Sequence, residues 1–274
     1  MPPELTVRIC SALILVAVAL FMTLSSLESF AVLILLFVAA MGWEWGRLVR
    51  GAGLDLAFGV QLLATTVALW ATVRGCPGCA LLAVIAGTVA VFFVRVLKDE
   101  HPQAWWSAAG VYYCGLPAIA LIWIRSDPDF GTLAILYLFT IVWTTDSAAY
   151  LFGRWIGGPK LAPRVSPKKT WAGLIGGALS ACLAGLVFAA FAEDAFSPWL
   201  GGLSIGLALI AQCGDLGESA VKRMFGMKDT SGLIPGHGGV LDRVDGLLFA
   251  AIAAALLAWA VNPQNPGRAL LLWS

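Results

Sequence analysis

Long apolar segments recur along the whole of this 274-residue chain, separated by short polar stretches. About nine of them reach roughly 17 to 25 residues, the length at which a helix rising about 1.5 Å per residue crosses about 30 Å of hydrocarbon. Outside them, no stretch is long enough for a soluble domain. The pattern therefore predicts an all-α, polytopic integral membrane protein. Its about nine transmembrane helices are expected near residues 9–27, 29–46, 54–73, 79–97, 108–125, 131–152, 171–192, 198–217 and 245–262.

Composition agrees, because 60% of the residues are apolar and only 12% are charged, against about a quarter charged in an ordinary soluble domain. The net charge of +1 is uninformative, so the placement of the charges matters more. If the N-terminus is cytoplasmic, three basic residues fall outside: Arg74, Arg125 and Arg268. The other fourteen fall on the cytoplasmic side: Arg8, Arg47, Arg50, Arg95, Lys98, Arg154, Lys160, Arg164, Lys168, Lys169, Lys222, Arg223, Lys228 and Arg243. This bias predicts a cytoplasmic N-terminus, and no cleavage site follows the first apolar segment, which we interpret as a retained helix.

The chain divides by polarity into an N-terminal region, residues 1–130 with about five spans, and a C-terminal region, residues 131–274 with about four. The first region offers no candidate chemistry. We interpret its tryptophans as residues at the membrane interface: Trp43, Trp45, Trp105, Trp106 and Trp123. Cys76 and Cys79, in "RGCPGCA", are expected to be unpaired loop thiols or at most a small structural disulfide. The second region carries two basic cytoplasmic loops.

Acidic residues inside or beside the apolar segments are functional candidates, because an ionised side chain at membrane depth is costly unless it is solvated, paired or bound to metal. Asp146 lies near the end of the sixth segment, Asp215 and Glu218 close the eighth, and Asp242 and Asp245 open the ninth. The last four form two pairs spaced three residues apart, so each pair lies on one helix face. Under the predicted topology all five acids lie at the cytoplasmic rim and can share a pocket.

Basic residues and glycines accompany these acids. Lys222 continues the face of Asp215 and Glu218, and "GHGG" (Gly236–Gly239) leads into a helix N-terminus, which favours an anion. The interleaved cations are Lys222, Arg223, Lys228, Arg243, Lys168 and Lys169. Acids alone would indicate a cation path and bases alone a lipid-binding surface. Both together indicate phosphate bound with a divalent metal such as Mg²⁺, as in phosphoryl transfer.

Several interpretations stay open at this level. The segment Ser219–Gly246 can be a loop whose charges follow the positive-inside rule, and Asp146 can be a site residue or an interhelical hydrogen-bonding partner. "SPKKT" (Ser166–Thr170) can bind phosphate, or can begin a helix with Thr170 as its cap and its lysines at lipid headgroups. His237 can be a turn residue, a hydrogen-bond donor to a phosphate or a contact to a nucleotide base. The Walker A, H-E-x-x-H and G-x-G-x-x-G motifs are absent from the sequence.

The order of residues in the C-terminal region resembles the signature of the phosphatidate cytidylyltransferases, also called CDP-diacylglycerol synthases. The residues that carry the resemblance are Ser219, Lys222, Arg223, Lys228, Asp229, Pro235, His237, Gly238, Gly239, Asp242, Arg243 and Asp245. The upstream stretches "TTDSAAYLFGR", "LAPRVSPKKTWAG" and "GDLGES" follow the same family order. The resemblance covers Thr144–Gly246, and the N-terminal half only as a run of membrane helices. Ala172 departs from the pattern, since an acidic residue is more usual there.

The resemblance implies that CTP and phosphatidate react to CDP-diacylglycerol and pyrophosphate, for phospholipid biosynthesis, at the cytoplasmic face of the inner membrane. It implies Mg²⁺, with a monovalent cation such as K⁺ as a second ion. Metal ligands are expected at Asp215, Asp242 and Asp146. Catalytic residues are expected at Lys222, Arg223, Arg243 and Asp245. Substrate-binding residues are expected at Ser166, Lys168, Lys169, Ser219, Lys228, Asp229, His237, Gly238 and Gly239. The expected partners are CTP, phosphatidate, membrane lipids and a second copy in a homodimer, with no nucleic acid.

Two other functions fit parts of the pattern. A CTP-dependent lipid kinase would transfer the γ-phosphoryl group and release CDP instead of pyrophosphate, so product analysis separates the two enzymes. A secondary transporter would also explain acids within membrane helices. It would favour polar residues near the bilayer midplane and interrupted helices in paired positions, whereas the acids here are expected at one rim.

Overall fold

A computed structural model describes residues 3–98, 101–191, 198–236 and 238–274. In this part of the chain the helices are α1 Pro3–Ser25, α2 Leu27–Arg50, α3 Leu56–Val73, α4 Pro77–Val96, α5 His101–Arg125, α6 Gly131–Trp155, α7 Trp171–Phe191, α8 Trp199–Met224, α9 Leu241–Val261 and α10 Pro266–Leu272. The strands of the same part are β1 Lys160–Ala162 and β2 Ser166–Thr170, which pair antiparallel.

The helices confirm the predicted class of helical, multi-pass membrane protein. Among the described residues, eight helices, α2 to α9, are long and apolar enough to cross a membrane. The apolar part of α1, Ile9–Ser25, is shorter. The number of nine spans and the cytoplasmic N-terminus therefore stay predictions.

Several helices extend beyond the apolar segments that predicted them, among them α5, α8 and α9. Helix α8 continues to Met224, seven residues past the predicted end, and α9 begins at Leu241, four residues early. Helix α5 begins at His101, ahead of the predicted 108. Hydropathy marks only the part of a helix that lies in hydrocarbon, whereas backbone hydrogen bonding continues through polar residues at the membrane surface. Lys222 and Asp242 are consequently helical residues.

The chain forms two compact units. Their bounds do not test the predicted division into an N-terminal region and a catalytic C-terminal region at residue 130, which stays a prediction. Unit 1 comprises Met1–Ser126 and Met224–Val244. In it α3, α4 and α5 pack together, with α2 against α3 and α5. The buried core of this bundle contains Ala57, Ala68, Ala71, Ala80, Val84, Val91, Val111 and Ile119. The segment 224–244 adds the end of α8, the following loop and the first residues of α9.

Two features of unit 1 bear on the sequence predictions. Cys76 and Cys79 form a disulfide at the start of α4. Of the two expectations, unpaired thiols or a small structural disulfide, the structure shows the disulfide. Trp45 is a core residue, so its assignment to the membrane interface is wrong: it is 3% exposed. Its indole Nε1 donates to the carbonyl of Trp106 at 2.8 Å, and its ring stacks on Tyr113. Helix α2 lies inside the bundle on this face, which removes Trp45 from the lipid.

Unit 2 comprises Asp127–Arg223 and Asp245–Ser274. Glycines allow α6 and α7 to approach closely, as small residues do in membrane helix pairs. A Cβ atom on Gly173 would lie 2.7 Å from the carbonyl oxygen of Ala149. Helices α6, α8 and α9 meet around a small buried apolar cluster of Val142, Ala211 and Ala250. The acidic residues of α6, α8 and α9 are placed by this packing.

The hairpin β1–β2 is an addition to the predicted all-α fold, because "SPKKT" was expected to be a loop or a helix start. The prolines Pro163 and Pro167 lack the N–H that a helix needs, and the amide of Val165 closes a turn onto the carbonyl of Ala162 at 3.1 Å. The predicted cap is confirmed: the hydroxyl of Thr170 accepts from the amide of Gly173 at 3.1 Å, at the start of α7.

Candidate active site

Four carboxylates come together in unit 2. Asp146 projects from α6, Asp215 and Glu218 from α8, and Asp245 from α9. Gln212 of α8 donates to Asp146, and Gly246, the neighbour of Asp245, packs against Ala211 of α8, so the four residues lie around one junction of helices. Glu218 is 2% exposed and Asp245 9% exposed. Because buried like charges repel, this cluster needs cations close by.

Two lysines supply positive charge to the cluster. Lys222 Nζ lies 2.6 Å from Glu218 Oε2, one helical turn away on α8. Lys169 Nζ lies 2.7 Å from Asp215 Oδ2, and it also donates to the carbonyl of Gln212 at 3.3 Å. Because Lys169 belongs to β2, the hairpin places its ammonium group beside Asp215 of α8. Predicted metal-binding and phosphate-binding residues thus lie side by side.

Asp146 shows one of the two roles that the sequence left open. Its Oδ1 accepts from Gln212 Nε2 of α8 at 3.3 Å, so it is an interhelical hydrogen-bonding partner. Its side chain is nevertheless exposed. A role as a metal ligand stays a prediction.

The end of α8 and the hairpin present further cations to solvent. Arg223 is exposed, and its Nε donates to the carbonyl of Val165 in the hairpin turn at 3.4 Å. Lys168 is exposed and Ser166 half-buried on β2. Ser219 donates to Asp215 Oδ1 at 3.4 Å. Accessible guanidinium and ammonium groups beside carboxylates are suited to binding phosphates.

The remaining predicted residues belong to unit 1, in the loop before α9 and its first turn. Asp242 Oδ2 accepts from the amide of Gly239 at 2.9 Å and from the amide and hydroxyl of Thr230, both at 3.1 Å. Asp242 therefore fastens the loop to the start of α9. Gly238 has φ of 90°, where glycine is favoured, and forms a bridge with Ile234. Exposed charges here are Lys228, Asp229 and Arg243. His237 lies outside the described residues.

Comparison with known sequences identifies the family of this membrane protein. A profile of the Cytidylyltransferase family matches residues 6–261. The chain belongs to this family. The resemblance found in Thr144–Gly246 is thereby confirmed, and it extends through the N-terminal helices.

Curated relatives in the cytidylyltransferase family carry the name phosphatidate cytidylyltransferase. One from Brucella suis biovar 1 (strain 1330) is 41% identical over 250 residues, which cover 90% of this chain and 91% of the relative. One from Haemophilus influenzae is 33% identical over 279 residues, covering 89% and 94%. One from Staphylococcus aureus (strain COL) is 44% identical over 140 residues, covering 51% and 53%.

A metal in this cytidylyltransferase would rest on few protein ligands. Within the described ranges, no group of three or more His, Cys, Asp or Glu side chains is arranged to hold an ion. Mg²⁺ commonly takes one or two carboxylates and completes its shell with water and substrate phosphates. Asp215, 31% exposed in its side chain, and exposed Asp146 are accessible carboxylates in unit 2. The donor set therefore fits Mg²⁺ bound together with a nucleotide.

Sequence reasoning missed Glu44, a fully buried acid on α2 that accepts hydrogen bonds from the loop before α9. The signal was present, because an acid within an apolar segment is a functional candidate by default. Because Glu44 lies between Trp43 and Trp45 in a largely apolar region, the sequence pattern there indicates interface residues and no candidate chemistry.

Proposed function

We propose that this protein transfers the cytidylyl group of CTP to phosphatidate, giving CDP-diacylglycerol and pyrophosphate, at the cytoplasmic face of the inner membrane. The observation that carries the proposal is the set of carboxylates and lysines in unit 2, in a chain 41% identical over most of its length to a relative named phosphatidate cytidylyltransferase. Both substrates are anionic, and phosphatidate lies in the bilayer. A membrane site with exposed cations meets both requirements.

In the proposed reaction a phosphate oxygen of phosphatidate attacks the α-phosphorus of CTP. The bond from the α-phosphorus to the oxygen that bridges to the β-phosphorus breaks, and pyrophosphate leaves with that oxygen. The attacking oxygen is already anionic, so the protein needs no activating base and acts by positioning and charge. Lys169 and Lys222, which each pair with a carboxylate, and Arg223 would offset the phosphate charge.

The remaining assignments in the proposal follow the family resemblance. Mg²⁺ would neutralise phosphate oxygens, with Asp215, Asp146 and Asp242 as the ligands that the resemblance implies, Asp245 orienting these ligands and a monovalent cation as a second ion. The substrates would be bound by Arg243, Lys228, Asp229, His237, Gly238, Gly239, Ser166, Lys168 and Ser219. Their separate roles stay predictions.

Labelled CTP tests the reaction directly. The purified full-length protein is incubated with phosphatidate, Mg²⁺ and CTP labelled at the α- or the γ-phosphorus. We expect α-label in a lipid product that comigrates with CDP-diacylglycerol, and γ-label in pyrophosphate. Gamma-label in the lipid, with release of CDP, would show a lipid kinase instead, and no lipid product at all would overturn the proposal.

Matched aspartate variants test the metal assignment separately. Asp215→Asn is expected to lower kcat by at least about 100-fold, as losses of groups that stabilise transition-state charge do. Asp129→Asn is the control, because Asp129 is an exposed loop residue before α6, and it should keep full activity. If wild type forms the product while Asp215→Asn or Asp242→Asn keeps full activity, the assignment of that residue to the metal is wrong.

A further inference from the structure

Glu44 is a carboxylate with no access to solvent. It lies in α2, a helix long and apolar enough to cross the membrane, and its exposed fraction is 0%. Burying an ionised carboxylate is strongly unfavourable unless hydrogen bonds replace its water. The residues that provide these bonds therefore show what the carboxylate does.

The donors come from both sides of the loop between α8 and α9. The amides of Val240 and Leu241 donate to Oε1 and Oε2 at 2.9 and 2.7 Å. The hydroxyl of Ser231 donates to Oε1, and the hydroxyl of Thr230 shares its single proton between Oε2 and Asp242 Oδ2. Amides at a helix N-terminus have no partner within the helix and favour a negative charge. Glu44 thus satisfies the start of α9 from another helix.

This network continues to Asp242. The hydroxyl of Thr230 lies 3.2 Å from Glu44 Oε2 and 3.1 Å from Asp242 Oδ2. Gly239 fits between them: a Cβ atom there would overlap the Thr230 hydroxyl and lie 2.8 Å from Glu44 and 3.0 Å from Asp242. The backbone on both sides of the turn is thereby fixed by two carboxylates.

We propose that Glu44 is a positioning residue that holds the loop before α9 in the conformation that binds CTP. The identity of the bound nucleotide rests on the proposed function, whereas the contact between Glu44 and the loop does not. The loop carries Lys228, Asp229 and Gly238, which are assigned to substrate. The hydrogen-bond donors to Glu44 belong to the loop and to the first turn of α9, so Glu44 acts through them.

The chemistry of the contact requires a carboxylate specifically. Four donors converge on two oxygens, and a carboxylate accepts at both, whereas a glutamine offers one accepting oxygen and an NH₂ group that would face other donors. Glu44→Gln therefore keeps the size of the side chain while breaking the contacts of one oxygen. Glu28→Gln is the matched control, because Glu28 is an exposed residue near the other end of the same helix.

Hydrogen exchange measures the contact without any substrate. In the full-length protein in detergent, we expect amides of the peptide that contains Val240 and Leu241 to exchange about 10- to 100-fold faster in Glu44→Gln, as expected for a lost bond to a charged acceptor. The exchange of α3 and α4 and the Glu28→Gln variant should match wild type. Unchanged exchange at Val240 and Leu241 would overturn the proposal, whatever the activity.

Kinetics then separate positioning from a general folding defect. We expect the KM for CTP to rise at least about tenfold in Glu44→Gln, with the KM for phosphatidate within about twofold, since only nucleotide contacts are displaced. A folding defect would lower Vmax and leave both KM values unchanged, which would overturn the link to CTP. If Glu44→Gln does not fold, Thr230→Val, which removes one hydroxyl, must give the same selective change in KM. Should wild type form no CDP-diacylglycerol, the proposed function falls, and exchange still decides whether Glu44 holds the loop.

Discussion

The buried pair of Glu218 and Lys222 allows the energy of a contact to be separated from its role in catalysis. Its atoms lie 2.6 Å apart, and the side chains are 1% and 10% exposed. At an effective dielectric constant of about 20, charges at this distance attract by about 6 kcal/mol. Removing both ions from water cancels most of this, so the whole pair adds little net stability. Removing one partner is different, because the other charge stays buried.

Lys222→Met removes the cation beside Glu218 while Asp245 remains within range of its charge. We expect a loss of about 3–5 kcal/mol in the free energy of unfolding, or a fall in Tm of about 6–20 °C for a chain of this size. The double variant Glu218→Met/Lys222→Met removes both charges and keeps similar volume. Its stability should return to within about 1 kcal/mol of wild type.

Activity distinguishes the two roles of the lysine. If Lys222 offsets phosphate charge, the double variant regains stability but stays at least about 100-fold below wild type in kcat/KM. The assays are thermal unfolding in detergent and formation of CDP-diacylglycerol. Lys160→Met, at an exposed position on β1, is the matched control. Wild-type stability in Lys222→Met would refute the energetic reasoning, and recovery of activity in the double variant would refute the role on phosphate.

Two further predictions concern the backbone around the candidate site. Gly239→Ala should lower the free energy of unfolding by about 1–3 kcal/mol and the activity at least tenfold, because its Cβ would overlap Thr230. Gly232→Ala is the control and should match wild type, because nothing lies within 4 Å of a Cβ atom there. Equal stability of the two variants would contradict the geometry. Thr170→Val should lower the free energy of unfolding by about 1 kcal/mol through loss of the cap on α7, measured as a fall in Tm. Thr170→Ser keeps the hydroxyl and should retain most of this stability, so an equal loss in both variants would count against the cap.

Part of the candidate site could be predicted from the sequence because it depends on one helix. Glu218 and Lys222 are four residues apart, so once α8 is recognised their contact follows from helical geometry. The contact of Lys169 with Asp215 could not be predicted in this way. It depends on a hairpin that reverses the chain after Ala162, and hydropathy carries no information about such a turn. The helix ends were missed for the same reason, since polar residues continue α8 and α5 beyond the hydrocarbon.

Glu44 shows a different limit, in which the signal existed but its partners could not be found. Its donors at Val240 and Leu241 lie 196 and 197 residues further along the chain. Backbone amides can be supplied by any residue except proline, so side-chain identity gives no sign of them. The sequence can indicate that a buried acid needs partners, but only packing shows that the partners belong to the loop that carries the family signature.

The same network changes how a variant of Asp242 must be interpreted. Asp242 Oδ2 already accepts from the amides of Thr230 and Gly239 and shares the hydroxyl of Thr230 with Glu44, so Asp242→Asn perturbs the loop whether or not the carboxylate binds a metal. Loss of activity in this variant is therefore insufficient evidence for a metal ligand. A loss with wild-type exchange at Val240 and Leu241 would point to the metal, whereas a loss with the same fast exchange as Glu44→Gln would point to the loop. Asp215 is the cleaner test of metal binding because its contacts to Lys169 and Ser219 involve side chains alone.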